Sequence, residues 1–271
     1  MNIPDDIRKC VAFIGAKNNG KDIFLGSVFF IGKENEEGKS DNIYAVTARH
    51  VIDTIKRNNI HNVLIRINKT QGGTTWVETA TSGWFTHPSD NSIDVAMHRL
   101  MIPSNYDHLV FPTQYFLTKE IIQNEEIGVG DEVVISGLFK HHIGDKRNIP
   151  IVRSGNIANF HEEKVPTKLF GEIDAHLIEC RSIGGLSGSP VFVNLGLVRN
   201  IKNAPKFTTG KITLYLLGLI HGHFDSDASD VDTVFDTANG KENVNTGIAI
   251  VVPCEKILET LEFYEKAGLR L

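Results

Sequence analysis

Cysteine is scarce in this chain: Cys10, Cys180 and Cys254 are the only three in 271 residues, odd in number, far apart and without paired spacing. That excludes a disulfide framework and leaves no Cys pair for zinc, and it favours a reducing compartment. Long apolar runs are missing too, none approaching the roughly 20 residues of a membrane span. The opening Met1-Asn2-Ile3-Pro4-Asp5-Asp6 carries acids where a signal peptide carries bases, and Val11-Ala12-Phe13-Ile14 is too short for its apolar segment. A cytoplasmic protein without a membrane partner is therefore expected. Nor is positive charge in excess: a net charge of -5 and a pI near 6.1 lack the basic footprint of a nucleic-acid binder. No internal repeat or low-complexity segment interrupts the chain. What remains is a soluble globular composition, with enough residues for a sizeable core in one large domain or two small ones.

Three stretches carry chemistry. In Ser182-Ile183-Gly184-Gly185-Leu186-Ser187-Gly188-Ser189-Pro190-Val191, small residues flank one serine on both sides. Glycine there lets the backbone bend and lets another molecule come close, and the amides of Gly185 and Ser187 are placed to face an oxyanion. The same residues also suit a plain Gly/Ser turn ahead of the extended Pro190-Val191-Phe192-Val193. Upstream, Tyr44-Ala45-Val46-Thr47-Ala48-Arg49-His50 is an apolar strand that ends on a histidine able to take a proton near neutral pH. Between them, Ile93-Asp94-Val95-Ala96-Met97 sets a carboxylate in an apolar run, where it needs a partner. An imidazole N–H is such a partner, and the bond would fix the tautomer that leaves the other ring nitrogen facing the serine.

Together these stretches resemble the trypsin-like (chymotrypsin-fold) serine peptidases. That family carries T-A-x-H, D-[IV]-A-[LM] and G-x-S-G-[GS]-P in this order, standing here as Thr47-Ala48-Arg49-His50, Asp94-Val95-Ala96-Met97 and Gly185-Leu186-Ser187-Gly188-Ser189-Pro190. The likeness covers most of the chain and leans toward bacterial, HtrA-type and related unprocessed peptidase domains, without a PDZ domain. It implies an all-β fold of two six-stranded antiparallel β-barrels with a C-terminal α-helix. Residues 1–127 would form the barrel with His50 and Asp94 and the crossing between barrels, and residues 128–271 the barrel with Ser187. The implied function is a serine endopeptidase with a His50, Asp94, Ser187 triad, an oxyanion hole from the amides of Gly185 and Ser187, and no metal or cofactor. The implied partners are a protein or peptide substrate and a regulatory protein.

Two departures matter. Leu186 stands where trypsin-like zymogens carry the aspartate that pairs with a newly cut N-terminus, so activity or its control without N-terminal cleavage is expected. Ser189 replaces a glycine. By the same resemblance Arg181, His221 and Gly222 are candidate substrate-binding residues: Arg181 stands where the specificity pocket has its base and would favour an acidic side chain, the alternative being that it points to solvent, whereas His221 would lie beside the triad carboxylate and along the substrate backbone, to bond either or to cap a strand. The acidic stretch from Asp225 toward Asp236 lacks the glycine and glutamate of an EF-hand loop and reads as solvated. An α/β-hydrolase is disfavoured, because Ser189-Pro190 opens a strand and the histidine precedes the serine. The alternative is a latent or inactive peptidase-fold binding module that needs a partner to order its cleft.

Elsewhere, strands are expected over Cys10–Ile14 and Phe24–Ile31, a charged loop over Gly32–Asp41, a short helical turn after His50, and an irregular crossing over Pro103–Glu126. Strands at Leu214–Gly222 and Thr246–Val252 would wall the cleft, and a helix from Pro253 would pack on the second barrel.

Overall fold

The computed structural model describes residues 3–34, 40–180, 185–202, 204–207, 214–227 and 243–267. After a helical turn, α1 (Asp6–Lys9), the chain enters β1 (Val11–Asn18), β2 (Lys21–Glu34) and β3 (Ser40–Thr47), then α2 (Arg49–Arg57), β4 (Asn62–Asn68), β5 (Thr74–Ala80), β6 (Phe85–Thr86), β7 (Ala96–Leu100) and β8 (Phe111–Pro112). These strands form one sheet in the order β5-β4-β1-β2-β3-β7-β6, with β8 parallel to β2. The hairpin β1–β2 closes on Asn19 and Gly20, whose φ of 50° and 79° suit a two-residue turn matched to strand twist.

After α3 (Lys119–Asn124) come β9 (Glu132–Gly137), β10 (Ile151–Asn159), β11 (Val165–Thr167), β12 (Gly171–Ile173), β13 (His176–Glu179), β14 (Pro190–Asn194), β15 (Val198–Ile201), β16 (Ala204–Phe207), β17 (Leu214–Asp227) and β18 (Asn243–Pro253). Six of them close a barrel, β10-β13-β18-β17-β14-β9, while β11–β12 and β15–β16 are separate hairpins. The all-β fold with a six-stranded barrel and a C-terminal helix is thus as the sequence leads one to expect. The first sheet differs in detail: among the described residues it is an open path that curls rather than a closed ring.

Other expectations shift at their edges. The charged loop expected over Gly32–Asp41 contracts, because β2 runs on to Glu34 and β3 begins at Ser40. The crossing expected to be irregular contains α3, whose first turn is capped by Thr118 Oγ1 accepting the Ile121 N–H at 3.3 Å. The C-terminal helix, α4 (Cys254–Lys266), packs against β17 and β18 as expected, but it also reaches the first sheet. Tyr264 stacks on Phe85 at 3.7 Å between centroids, and Tyr44 donates to Glu265 at 3.4 Å. The helix therefore clasps both halves of a core that is itself continuous across them. No described helix is long and apolar enough to cross a membrane.

The barrel also buries an ionisable group that sets a pH limit on stability. His176, on β13, is buried and accepts the His161 N–H on Nδ1 at 3.1 Å. Burial, helped by the neighbouring charge of His161, lowers it from 6.5 to about 4. Between these values the unfolded chain takes up a proton that the folded chain refuses. Its contribution is therefore complete above pH 6.5 and is lost as the pH falls toward 4, by on the order of 2–3 kcal/mol. Urea unfolding at pH 7 and pH 4.5 is expected to show this loss, and His176→Gln to reduce it by about that amount. An equal pH slope in both proteins would refute the assignment.

Candidate active site

His50 is delivered by a strand that ends and a helix that begins. Val46, Thr47 and Ala48 are fully buried, and α2 starts directly after them without a side-chain cap of its own. The orphan amide of its first turn is met from outside, since His50 N–H donates to Asp94 Oδ1 at 2.8 Å. The His50 ring donates Nδ1–H to Asp94 Oδ2, also at 2.8 Å. One carboxylate thus holds both the backbone and the side chain of the histidine, which fixes the ring's position and leaves Nε2 as an acceptor.

Asp94, just ahead of β7, is completely buried. Burial alone would raise its carboxyl, but the His50 and His221 imidazoles, by charge and hydrogen bonds, hold it below the ordinary 3.8. The second of these donors is the addition to the expected trio. His221 Nδ1 lies 2.6 Å from the same Oδ2, so two imidazoles share one oxygen, their rings edge to face at 5.5 Å. His221 reaches this place because the pairing of β17 with β18 slips between Ile220 and Gly222, making His221 the extra residue of a bulge. A bulge re-aims a side chain that regular alternation would send elsewhere. Gly222, the next residue, borders open space, since a Cβ there would meet nothing within 4 Å.

Ser187 lies in a turn pinned on three sides. Its carbonyl accepts the Ser27 N–H at 2.9 Å, Gly188 N–H donates to the Ile220 carbonyl at 2.8 Å, and Ser189 N–H donates to the Leu186 carbonyl at 2.8 Å. The amides of Gly185 and Ser187, in contrast, donate to none of the described residues. Ser187 Oγ donates to the His221 carbonyl at 3.4 Å, and among the described residues it has no hydrogen bond to His50. The four side chains are nonetheless brought together: His50 and His221 meet on Asp94, and Ser187 contacts the backbone of His221.

Gly188 has φ +79°, and a Cβ on it would lie 2.4 Å from both the Ser27 carbonyl oxygen and Thr47 Oγ1. Both neighbours are fully buried. Gly188→Ala is therefore expected to cost on the order of 3 kcal/mol or more. A thermal melt lowered by more than about 5 °C checks this; an unchanged melt would show that the turn can yield.

The two departures have structural accounts. Leu186 is buried in the core and offers no charge to an incoming N-terminus. Ser189 is also buried and donates to Ser27 Oγ at 2.9 Å, its hydroxyl filling the space beside Gly137 where any Cβ would lie 2.0 Å away. Arg181, the expected base of the specificity pocket, lies outside the described residues, as do residues 228–236 of the acidic stretch.

Sequence reasoning passed over Ser27, whose backbone and side chain bind the Ser187–Ser189 turn from the first sheet. The signal was Gly26 inside a strand, where a Cβ would sit 2.7 Å from the Ser187 carbonyl oxygen. It also passed over Phe170, which lies edge to face with His221 at 5.8 Å and under the Arg49 guanidinium at 5.7 Å. Among the described residues, the group whose spacing suits a metal ion is His50, Asp94 and His221, with ligand atoms within 4.8 Å of one another. Asp94 Oδ2 lies 2.8 Å from His50 Nδ1 and 2.6 Å from His221 Nδ1, so in this structure those atoms engage one another.

No protein-family model matches the chain, and no curated protein matches it in sequence. Solved structures do match its shape. The apo protease domain of MamO from Magnetospirillum magneticum superposes with a TM-score of 0.54 at 13% identity, over 93% of this chain and 96% of that one. Deg5 gives 0.53 at 14% identity, over 96% and 90%. The HtrA-type protease AlgW, solved with a decapeptide, gives 0.54 at 14% identity, over 97% of this chain and 66% of that one.

Proposed function

We propose, from the premise that this chain has the chymotrypsin-like fold of the protease domains it superposes on, that it is a serine endopeptidase with Ser187 as nucleophile. The observation that carries the reading is the buried Asp94 carboxylate at 2.8 Å from His50 Nδ1, with the glycine-flanked Ser187 held beside the His221 that shares that carboxylate. Ser187 Oγ attacks the peptide carbonyl carbon while His50 Nε2 removes the hydroxyl proton, and the carbonyl oxygen becomes an oxyanion facing the amides of Gly185 and Ser187. Each such donor is worth about 3 kcal/mol where one has been removed in related chemistry. His50 then gives its proton to the leaving amine, an acyl-enzyme remains on Ser187, and water repeats the sequence to release the acid. No cofactor enters this chemistry. The substrate is a protein or peptide, and cleavage requires no new N-terminus, because Leu186 cannot pair with one. With three buried cysteines, a cytoplasmic setting suits the chain, and neither nucleic acid nor membrane is a partner.

A second reading, latency, is favoured by one observation: Ser187 Oγ faces the His221 carbonyl instead of His50. A rotation of that side chain, driven by substrate or by a regulatory protein, would complete the site, in keeping with apo sites whose catalytic bonds tighten only in the complex. A fluorophosphonate probe tests both. Stoichiometric labelling mapped to Ser187 is expected for the active peptidase, and labelling only with substrate or a partner present is expected for the latent one. No labelling under any of these conditions would leave a binding module and overturn the peptidase reading.

A further inference from the structure

Beside His50 lies a cavity of about 630 Å³ walled by one face of α2. Arg49, Asp53, Lys56 and Arg57 fall on that face by helical spacing. Across from them stand Asn91 and Ser92, from the loop ahead of Asp94, and Leu169 and Phe170, from the turn between β11 and β12. His50 is itself one of the residues that line the cavity.

Its charges are not balanced. Arg49 is spent as a wall: its Nε is 3.2 Å from Asp53 Oδ2, its Nη1 donates to the Asn91 carbonyl at 3.1 Å, and its guanidinium lies over the Phe170 ring at 5.7 Å. Asp53 is neutralised in the process. Lys56 and Arg57 remain exposed, and among the described residues neither has a carboxylate within ion-pair distance. Arg57 binds only the Asp53 carbonyl and Thr54 Oγ1. Two uncompensated cations thus line a concave surface next to the imidazole in a chain whose net charge is -5. Leu169, 58% exposed, supplies an apolar shoulder for an aliphatic stem. Cations at the far wall and a hydrophobic edge are what a side chain with an anionic tip would fill.

We propose that this cavity is a recognition subsite for an anionic side chain, a carboxylate or a phosphate, of a peptide bound with its cleaved bond at Ser187. The proposal rests on the peptidase reading for the position of that bond, but not for the binding itself. Because His50 lines the cavity, the anionic residue is placed close in sequence to the scissile bond.

The test uses Ser187→Ala protein, so that peptides stay intact, and fluorescein-labelled alanine-based octapeptides in which Glu, phosphoserine, Gln or Lys is scanned through each position. Fluorescence anisotropy at 50 mM salt is expected to give affinity about 5- to 10-fold higher for Glu or phosphoserine than for Gln at one position, with Lys weakest, and little preference at 500 mM salt. A larger gain with phosphoserine than with Glu assigns phosphorylated substrates, and an equal or smaller one assigns acidic ones. Adding Lys56→Gln and Arg57→Gln is expected to abolish the preference, and Lys56→Glu with Arg57→Glu to turn it toward Lys. Absence of any preference for the anions over Gln at every position, including absence of binding, overturns the proposal, as does a preference that survives both double variants. Fluorophosphonate labelling of the wild-type protein separates the two readings. Preference without labelling keeps the subsite and removes the reaction, whereas labelling without preference does the reverse.

Discussion

Alanine at position 187 is expected to lower peptide turnover by about a millionfold and to abolish fluorophosphonate labelling. The size follows from the division of labour proposed here: without Oγ no acyl-enzyme forms, and an imidazole poised to take a hydroxyl proton has none to take. His50→Ala should cost about as much, and the double variant little more, because residues that act as one unit are not additive. The fold should be untouched, since among the described residues the serine hydroxyl makes only the 3.4 Å bond to the His221 carbonyl, while the bonds that pin the turn are made by backbone atoms. Steady-state kinetics on one peptide, with thermal melts of both proteins, give the comparison. Residual activity above about one per cent of wild type would exclude Ser187 as the nucleophile.

Asp94→Asn is expected to reduce kcat by about ten-thousandfold, the effect such a change has in a trypsin-like triad, and here the reason can be counted in lone pairs. Asp94 Oδ1 accepts the His50 amide at 2.8 Å, and Oδ2 accepts from the Nδ1 of His50 at 2.8 Å and of His221 at 2.6 Å. An asparagine offers one acceptor oxygen and one NH2. If the NH2 replaces Oδ2 it confronts two ring N–H donors. Both rings must then move their proton to Nε2, and His50 loses the lone pair that should receive the serine proton. If it replaces Oδ1 it confronts the backbone N–H at the start of α2, and a buried donor is left unpaired. The two faults differ in what they spoil: the first lowers kcat with little change in melting temperature, the second lowers both. A variant within tenfold of wild-type kcat would mean that the carboxylate does not orient the imidazole.

The candidate residues His50, Asp94 and Ser187 could be singled out in the sequence because each sits in a short motif, and the neighbours of two of them are sterically constrained: Thr47 and Ala48 against Gly188, and Gly188 against Ser27. Helix α4 could be read because Ile257, Leu261 and Tyr264 repeat at its period. What could not be read is what depends on distant segments meeting. The first sheet's open path and the second contact of α4 belong to this class. The place of His221 beside Asp94 was expected from the resemblance alone, since the extra residue in the strand pairing that puts it there has no local pattern to announce it. The short hairpins β11–β12 and β15–β16 carry too few apolar residues to show a period, and helix α3 has only six residues. The cavity beside His50 draws on three stretches of the chain: Arg49 and His50 belong to a motif and Ser92 adjoins one, but nothing in the sequence brings Leu169 and Phe170 to them.

Ser27 joins the halves in a way that ties chemistry to their closeness. From the first sheet its amide holds the Ser187 carbonyl at 2.9 Å, and its hydroxyl is shared by Ser189 Oγ at 2.9 Å and the Leu138 amide at 2.8 Å. A separation of an ångström or two along this seam would carry Ser187 away from the first sheet, which holds His50 and Asp94, while each set of strands kept its own ladder. Catalysis should therefore fade before the β signal does, whether the seam is strained by heat, by denaturant or by a tugging partner. The protein would behave as a latch that reports whether it is shut.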